Sequence, residues 1–360
     1  MIPIVKPRFP GLSAFAGPFS NSLRSGQVTN NGEHVRRFER ELTSYLGVQT
    51  LAFNNGHTAL LTMLMASGIG PNDEVIVPSF TFCGTVSAIR MLGAVPWFAE
   101  VNSETLTLDP QDVKRRVRDT VEAILGVDVY GLCCEYEVLE RIANGKRLKC
   151  LFDSAPAFGS MVGGIPTGGF GDAQIFSFHA TKQFSTMEGG ALCSNDLGLI
   201  EKARQIRDFG QDENKDCQVV GLNGKMTEVC ALVGLENLKG WRDPLRAYKY
   251  QTFTNRLRDM PGLRLIEEPK GQWPNWAYVP VFIEPEFGKT RDEVFAELRD
   301  KGVMARKYYT ACHLLPPFKN GQKLPITEKL ASEVIALPLY PEMTDSDMNE
   351  IALAFKEIRG

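Results

Sequence analysis

A chain of 360 residues with 43 acidic and 40 basic side chains carries a net charge of −3, long enough to bury large cores and to divide into two lobes. That balance gives no reason to expect nucleic acid or an anionic membrane as partner. No run approaches a membrane span, MIPIVKPRFPG lacks the apolar core of a signal peptide, the eight cysteines form no CxxC pair, and the four histidines (34, 57, 179 and 313) lack metal-ligand spacing; a reduced cytoplasm and no metal are expected.

In chain order, apolar residues 51–53 lead through Asn55-Gly56-His57-Thr58 into a helix-like run, 59–66. Strand-like runs follow at 74–77, 95–98, 123–129, 148–152, 174–178 and 191–194, alternating with helical patterns. Such alternation predicts an α/β fold whose mostly parallel central sheet is sandwiched by helices. Residues 227 to about 260 read as a long helical stretch interrupted near Asp243-Pro244. A strand at 277–283 and helices at 291–301 and 345–358 then predict a smaller C-terminal α+β lobe. We place the division between a large domain, 1–245, and a small one, 246–360.

The stretch FSFHATKQFSTMEGG, 176–190, presents Lys182 between a short apolar run and a glycine-bearing turn. A lysine amine is a strong nucleophile when its surroundings keep it partly unprotonated, and a carbonyl cofactor beside it becomes an imine. Pyridoxal 5'-phosphate (PLP) needs such a lysine, an acid for its pyridine nitrogen and a cradle for its phosphate. Asp153 ends the apolar run Cys150-Leu151-Phe152, and ligands of parallel α/β sheets gather at such carboxyl ends. The cradle is expected at Asn55-Gly56-His57-Thr58, where free amides and the helix dipole favour an anion, with Ser177 adding its hydroxyl. Each signal singly has a plainer reading: a surface lysine, a turn-forming aspartate, an Asn-Gly turn. Their order and spacing together favour the cofactor site.

Ordered matches run along the chain: GQVTNNGEHVRRFERELTSYLGV (26–48), GPNDEVIVPSFTFCGTVSAIRMLGAVPWFAEV (70–101), VDVYG (127–131), FDSAPAFGS (152–160), FGDAQIFSFHATK (170–182), EGGALCSND (188–196), LNGKMTEVCALVGLENL (222–238), ARKYYTACHLLPPF (305–318) and LPLYPEMTD (337–345). With them the chain resembles the DegT/StrS-type sugar aminotransferases of the fold-type I PLP superfamily. The resemblance implies that Lys182 forms the Schiff base and Asp153 binds the pyridine nitrogen. Gly56, His57, Thr58 and Ser177 would surround the phosphate, Phe82 would stack on the cofactor face, and Asn223 would reach the partner's cofactor phosphate across a homodimer interface. Arg306 would bind a carboxylate or diphosphate, and Tyr308, Tyr309 or His313 would hydrogen-bond the sugar or stack on a base. Three positions depart from the family's pattern: Pro156 where relatives carry His or Gln, Lys225 where many have Arg, and Thr186-Met187 before Glu188-Gly189-Gly190.

The implied reaction moves an amino group from L-glutamate to a nucleotide-linked ketosugar, most like a 4-keto-6-deoxyhexose aminated at C4. The family's dehydratases carry histidine where this chain keeps Lys182. Two alternatives stay open: the same chemistry on another ketone, including a 3-ketosugar or a sugar without a nucleotide, and a PLP-binding regulator without turnover.

Overall fold

The computed structural model describes the backbone of residues 1–241 and 245–360, with side chains for 1–241 and 246–360. Strands β1 (Gln49–Phe53), β2 (Glu74–Pro78), β3 (Val95–Ala99), β4 (Val121–Val127) and β5 (Lys149–Asp153) are followed by a short hairpin, β6 (Met161–Val162) and β7 (Ile165–Pro166), and by β8 (Ala173–Ser177) and β9 (Gly190–Ser194). All but the hairpin form one sheet, in the order β1-β9-β8-β5-β4-β2-β3. Only β9 runs against the rest, pairing antiparallel with β8 and β1, while β2, β3, β4, β5 and β8 pair in parallel. The mostly parallel sheet read from the sequence is present, with strand ends shifted by a residue or two.

Helices α1 (Ala16–Ser25), α2 (Glu33–Leu46), α3 (Gly56–Ala66), α4 (Cys83–Met91), α5 (Pro110–Arg116), α6 (Tyr136–Lys146), α7 (Leu197–Arg207) and α8 (Glu228–Lys239) surround this sheet. Successive strand residues point to opposite faces. Val75 and Val77 therefore join Leu60, Leu64, Val86 and Ile200 in one core, while Ile76 joins Ile124, Leu139 and Phe152 in another. Strands covered on both faces read as unbroken apolar runs, which is why β5 is buried from Cys150 to Asp153. In α2, Val35, Phe38, Leu42 and Leu46 form the buried stripe and pack against α8. A Cβ at Gly234 would lie 2.7 Å from the Phe38 ring, so that glycine is what lets the two helices approach. Buried Glu228 accepts from the amides of His34 and Val35 at 2.8 and 3.2 Å, satisfying the first turn of α2.

The rest of the chain holds α9 (Leu245–Leu257), β10 (Leu263–Leu265), β11 (Gln272–Trp273), β12 (Val279–Ile283), α10 (Arg291–Asp300), α11 (Pro325–Glu333), β13 (Val334–Leu337) and α12 (Asp345–Arg359). The antiparallel sheet β10-β12-β13 carries a core including Phe253, Val281, Leu298, Ile335 and Phe355. Capping boxes at Thr290/Glu293 and Thr344/Asp347 start α10 and α12, each cap contributing about 1 kcal/mol. The long helical stretch expected over 227–260 is two helices, α8 and α9; the interruption expected near Asp243-Pro244 lies outside the described residues. Strand β11 crosses back to pair with β6. Among the described residues no helix is long and apolar enough to cross a membrane.

The topology places the chemistry at one edge of the large sheet. Strands β1, β2, β4, β5 and β8 end there. Reversed β9 begins there, with Gly190 opposite both Phe53 and Ser177.

Candidate active site

At that edge β1 turns through Asn54 into α3. Asn55 caps the helix by accepting from Thr58 N–H at 2.8 Å, and the Thr58 hydroxyl lies 2.9 Å from the Asn55 carbonyl oxygen. Thr58 is thus spent on building the turn, whereas the amides of Gly56 and His57 have no hydrogen-bond partner among the described residues. Two free amides at a helix start, with the dipole behind them, suit a phosphate. Two glycines make the turn possible. A Cβ at Gly56 would sit 2.8 Å from Ser177 Cβ, and one at Gly190 would sit 2.6 Å from the Gly56 nitrogen. Ser177 is thereby held against the start of α3.

Asp153 is the last residue of β5 and is 6% exposed. Its Oδ2 accepts from the Thr85 hydroxyl at 2.7 Å and its Oδ1 from Ala155 N–H at 3.2 Å. Burial pushes this carboxyl up; Thr85, Ala155, Lys182 and His57 each pull it down, and burial prevails. The Lys182 amide donates to the His179 carbonyl at 2.8 Å, closing the turn after β8. Burial pushes the Lys182 ammonium down against the attraction of Asp153, the direction a nucleophilic amine requires. His57 is pushed down in the same way, with Asp153 again opposing.

Phe82 precedes α4 with its side chain 60% exposed. A Cβ at Gly84 would meet the Phe82 ring at 3.0 Å and His57 Nδ1 at 3.6 Å, so ring and imidazole lie against the start of α4, and Asp153 is near enough to act on the imidazole. The donor set matches PLP group by group: free amides for the phosphate, an open ring for the face, a buried carboxylate for the pyridine nitrogen and a desolvated amine for the aldehyde.

The strap after α10 contributes unevenly. Tyr309 packs its ring 5.8 Å from Phe80 and 5.9 Å from Tyr130, and the Tyr130 hydroxyl donates to the Tyr308 carbonyl. Tyr309 is near enough to Asp153 for the carboxylate to add to the upward push that burial exerts on its phenol. Tyr308 stacks on Tyr309 and meets Tyr278 edge-on. Arg306 is exposed, its backbone bonded in both directions to Ala336.

His313 is a correction. It is 1% exposed, with Nδ1 2.6 Å from Ser79 Oγ and Nε2 3.1 Å from Glu328 Oε1. The Ser79 hydroxyl also accepts from the His313 amide at 2.9 Å. This network fits a ring protonated on Nε2, donating to Glu328 while accepting from Ser79. Both nitrogens are taken, so His313 ties the strap to the end of β2 and does not face substrate. His313→Ala is expected to lower unfolding free energy by about 2–4 kcal/mol, read from denaturant titration, while the folded variant keeps turnover within a few-fold of the parent.

Asn223 is exposed, its carbonyl accepting from Asn54 Nδ2 at 3.0 Å, at the foot of the excursion between α7 and α8. The departures find local explanations. Lys225 pairs with Asp208 at 2.6 Å and lies 4.3 Å from the Phe209 ring centroid. The Pro156 carbonyl accepts from Asn275 Nδ2 at 2.7 Å, which ties the loop after Asp153 to the chain before β12. The Thr186 hydroxyl donates to the Glu188 carbonyl at 2.8 Å. A cleft of about 960 Å3 runs from Lys182 past Gln183, Asn275 and Trp273 to Lys6 and Arg8; Lys182 is the only predicted cofactor residue on its wall.

Thr85, hydrogen-bonded to Asp153, and Tyr130, bonded to the Tyr308 carbonyl, were not singled out along the chain. Both fall inside matched segments, 70–101 and 127–131, but a lone threonine early in a helix and a tyrosine in a short turn carry no local chemistry that marks them.

A family model described as the DegT/DnrJ/EryC1/StrS aminotransferase family matches residues 14–356. The dTDP-4-amino-4,6-dideoxy-D-glucose transaminase of Shigella dysenteriae is 30% identical, over 99% of this chain and 98% of that protein. GDP-perosamine synthase of Vibrio cholerae is 29% identical with the same coverage. Among solved structures, DesI in the presence of its TDP-sugar product superposes with a TM-score of 0.93 at 32% identity, covering 99% of this chain and 93% of that one. Spr1654 of Streptococcus pneumoniae in its PLP form superposes with a TM-score of 0.89 at 25% identity, covering 99% and 98%. A matching family model over nearly the whole chain, on a sheet edge that assembles a lysine, an acid and an anion cradle, identifies this chain as a member of the DegT/DnrJ/EryC1/StrS aminotransferase family, a PLP-dependent aminotransferase of fold type I.

Proposed function

We propose that the chain transfers an amino group from L-glutamate to a nucleotide-linked ketosugar, a 4-keto-6-deoxyhexose aminated at C4, in the cytoplasm and as a homodimer with shared active sites. The large domain, 1–245, carries the cofactor site, and the small one, 246–360, supplies the strap over it. The observation that carries this reading is the convergence of Lys182, Asp153, Phe82 and the Gly56/His57 amides at one sheet edge. The named activities of the Shigella and Vibrio relatives, and the TDP-sugar in the DesI structure, support the substrate class.

Bound PLP supplies a carbonyl carbon for amines and a protonated ring that draws electrons from the reacting carbon. The chain's own groups do the rest. Lys182 would hold the cofactor, and its Nζ, of lowered basicity, would accept and return the donor's α-proton. Asp153 would hold a negative charge for the pyridine nitrogen. Phe82 would cover one ring face, and the cradle with Ser177 would anchor the phosphate. Arg306, Tyr308 and Tyr309 are the strap residues proposed to meet the substrate.

The test is a panel of ketosugars with glutamate, following 2-oxoglutarate release and the sugar product. We expect turnover with a dTDP- or GDP-linked 4-keto-6-deoxyhexose. A protein that converts its cofactor with glutamate yet accepts only 3-ketosugars or free sugars refutes the proposed substrate, and one that binds PLP without reacting with glutamate is a regulator.

Each chain is proposed to lend Asn223 to the partner's phosphate site, a reciprocity that two-fold symmetry imposes. Inactive Lys182→Ala and an impaired Asn223→Ala variant, co-assembled, are expected to recover activity, because one of the two mixed sites then has both native residues. No recovery in verified heterodimers, or an active monomer in sedimentation, refutes the sharing.

A further inference from the structure

Two kinds of group hold Asp153. Lys182 in the turn after β8, His57 on α3 and Tyr309 on the strap are near enough to interact with it electrostatically. Behind it, Thr85 donates its hydroxyl to Oδ2 at 2.7 Å, and Thr85 Oγ1 lies 2.9 Å from Thr81 Oγ1. A hydroxyl has one proton. With that of Thr85 committed to Asp153, the bond between the two threonines is filled by the proton of Thr81. The result is a one-way chain, Thr81 to Thr85 to Asp153, in which both threonines are 2% exposed. The neighbouring acid, Asp128 at the end of β4, is turned into a separate network with Cys134 N–H, the Tyr136 hydroxyl and the Ser154 hydroxyl.

We propose that Thr85, backed by Thr81, is the positioning residue that keeps Asp153 ionised and its carboxylate plane fixed toward the cofactor ring; this rests on the role given to Asp153 above. The two cations that favour the carboxylate are both groups whose charged form burial disfavours, Lys182 and His57. Their help fades when the amine or imidazole is neutral. The hydroxyl chain does not titrate, and its members polarise one another toward the anion. Ala155 N–H is the other non-titrating donor to the carboxylate, at the longer distance of 3.2 Å. A hydrogen bond to an ionised group is among the strong ones, so its loss is read directly as a change in acidity.

Three holoenzyme variants test this: Thr85→Val, which replaces the hydroxyl by a methyl; Thr85→Ser, which keeps it; and Thr81→Val, one step removed. The readouts are the pH dependence of the glutamate half-reaction, PLP dissociation by equilibrium dialysis, and thermal midpoint. Asp153 acts as the anion, so raising its pKa moves the acid-side loss of rate to higher pH. Thr85→Val is expected to move that limb up by about one unit, roughly a tenfold rate loss on its acid side, and to weaken PLP retention in parallel. Thr85→Ser restores most of both, and Thr81→Val gives a smaller shift in the same direction. An unchanged limb and unchanged PLP affinity in Thr85→Val overturn the proposal, as does a shift that serine fails to rescue, which would mark a packing position. If Thr85→Val does not fold, an unshifted limb in Thr81→Val overturns it instead. Asp153→Asn separates the two readings: if it is damaging while Thr85→Val is silent, only the positioning role falls, and if it is itself silent, the role of Asp153 falls first.

Discussion

Lys182→Ala loses the glutamate half-reaction by at least 10²–10⁴-fold, the contribution of one positioned proton-transfer group, equivalent to about 2.7–5.4 kcal/mol of barrier. The real loss is expected at the upper end, because the same amine also holds the cofactor. Single-turnover absorbance with excess glutamate measures it. Borohydride treatment of the parent enzyme fixes the cofactor to one peptide, and peptide mapping is expected to return the segment containing Lys182; a reduced adduct on any other lysine sinks the assignment. The variant keeps its fold. The lysine's backbone amide, which closes the turn to His179, is untouched, and removing a desolvated amine takes away a burial cost. PLP still binds the variant through the cradle, more weakly and without a reducible bond.

Asp153→Asn retains the fold and loses turnover by on the order of a hundredfold, about 2.7 kcal/mol. The reason it folds lies in its two donors. Ala155 N–H needs an acceptor, which the amide oxygen of asparagine supplies. The Thr85 hydroxyl is free to rotate, accept from the new NH2 group and donate to Thr81 in turn. Every polar group keeps a partner and only the negative charge disappears. A small fall in thermal midpoint beside a large fall in half-reaction rate is the expected pair of results; near-normal rates would place the acid elsewhere. In the parent, burial raises Asp153 above the ordinary carboxylate range. Activity that depends on its anion is present above the carboxyl's pKa and is lost as pH falls through it.

Much of the fold is legible along the chain because it follows from local chemistry. The alternation of apolar runs with helical patterns required a mostly parallel sheet, because strands covered on both faces have no polar side to show. Asn55-Gly56-His57-Thr58 before a helix-like run announced a helix start with free amides. Lys182 and Asp153 were legible because each ends or follows a strand at the edge where such sheets bind ligands. The tertiary structure decided what depends on contacts distant in the chain. His313 follows two tyrosines expected to meet the sugar, yet Ser79, 234 positions away, claims its Nδ1. Thr58 was expected at the phosphate and is spent on its own helix cap. Thr85 lies 68 positions from Asp153, and a threonine early in a helix is common enough that nothing marks this one until β2 and β5 are set on either side of β4 in one sheet. Local pattern sets which backbone turns and charges are available. Which of them face one another is set by packing, because a hydroxyl or imidazole takes its role from the partner that burial leaves it.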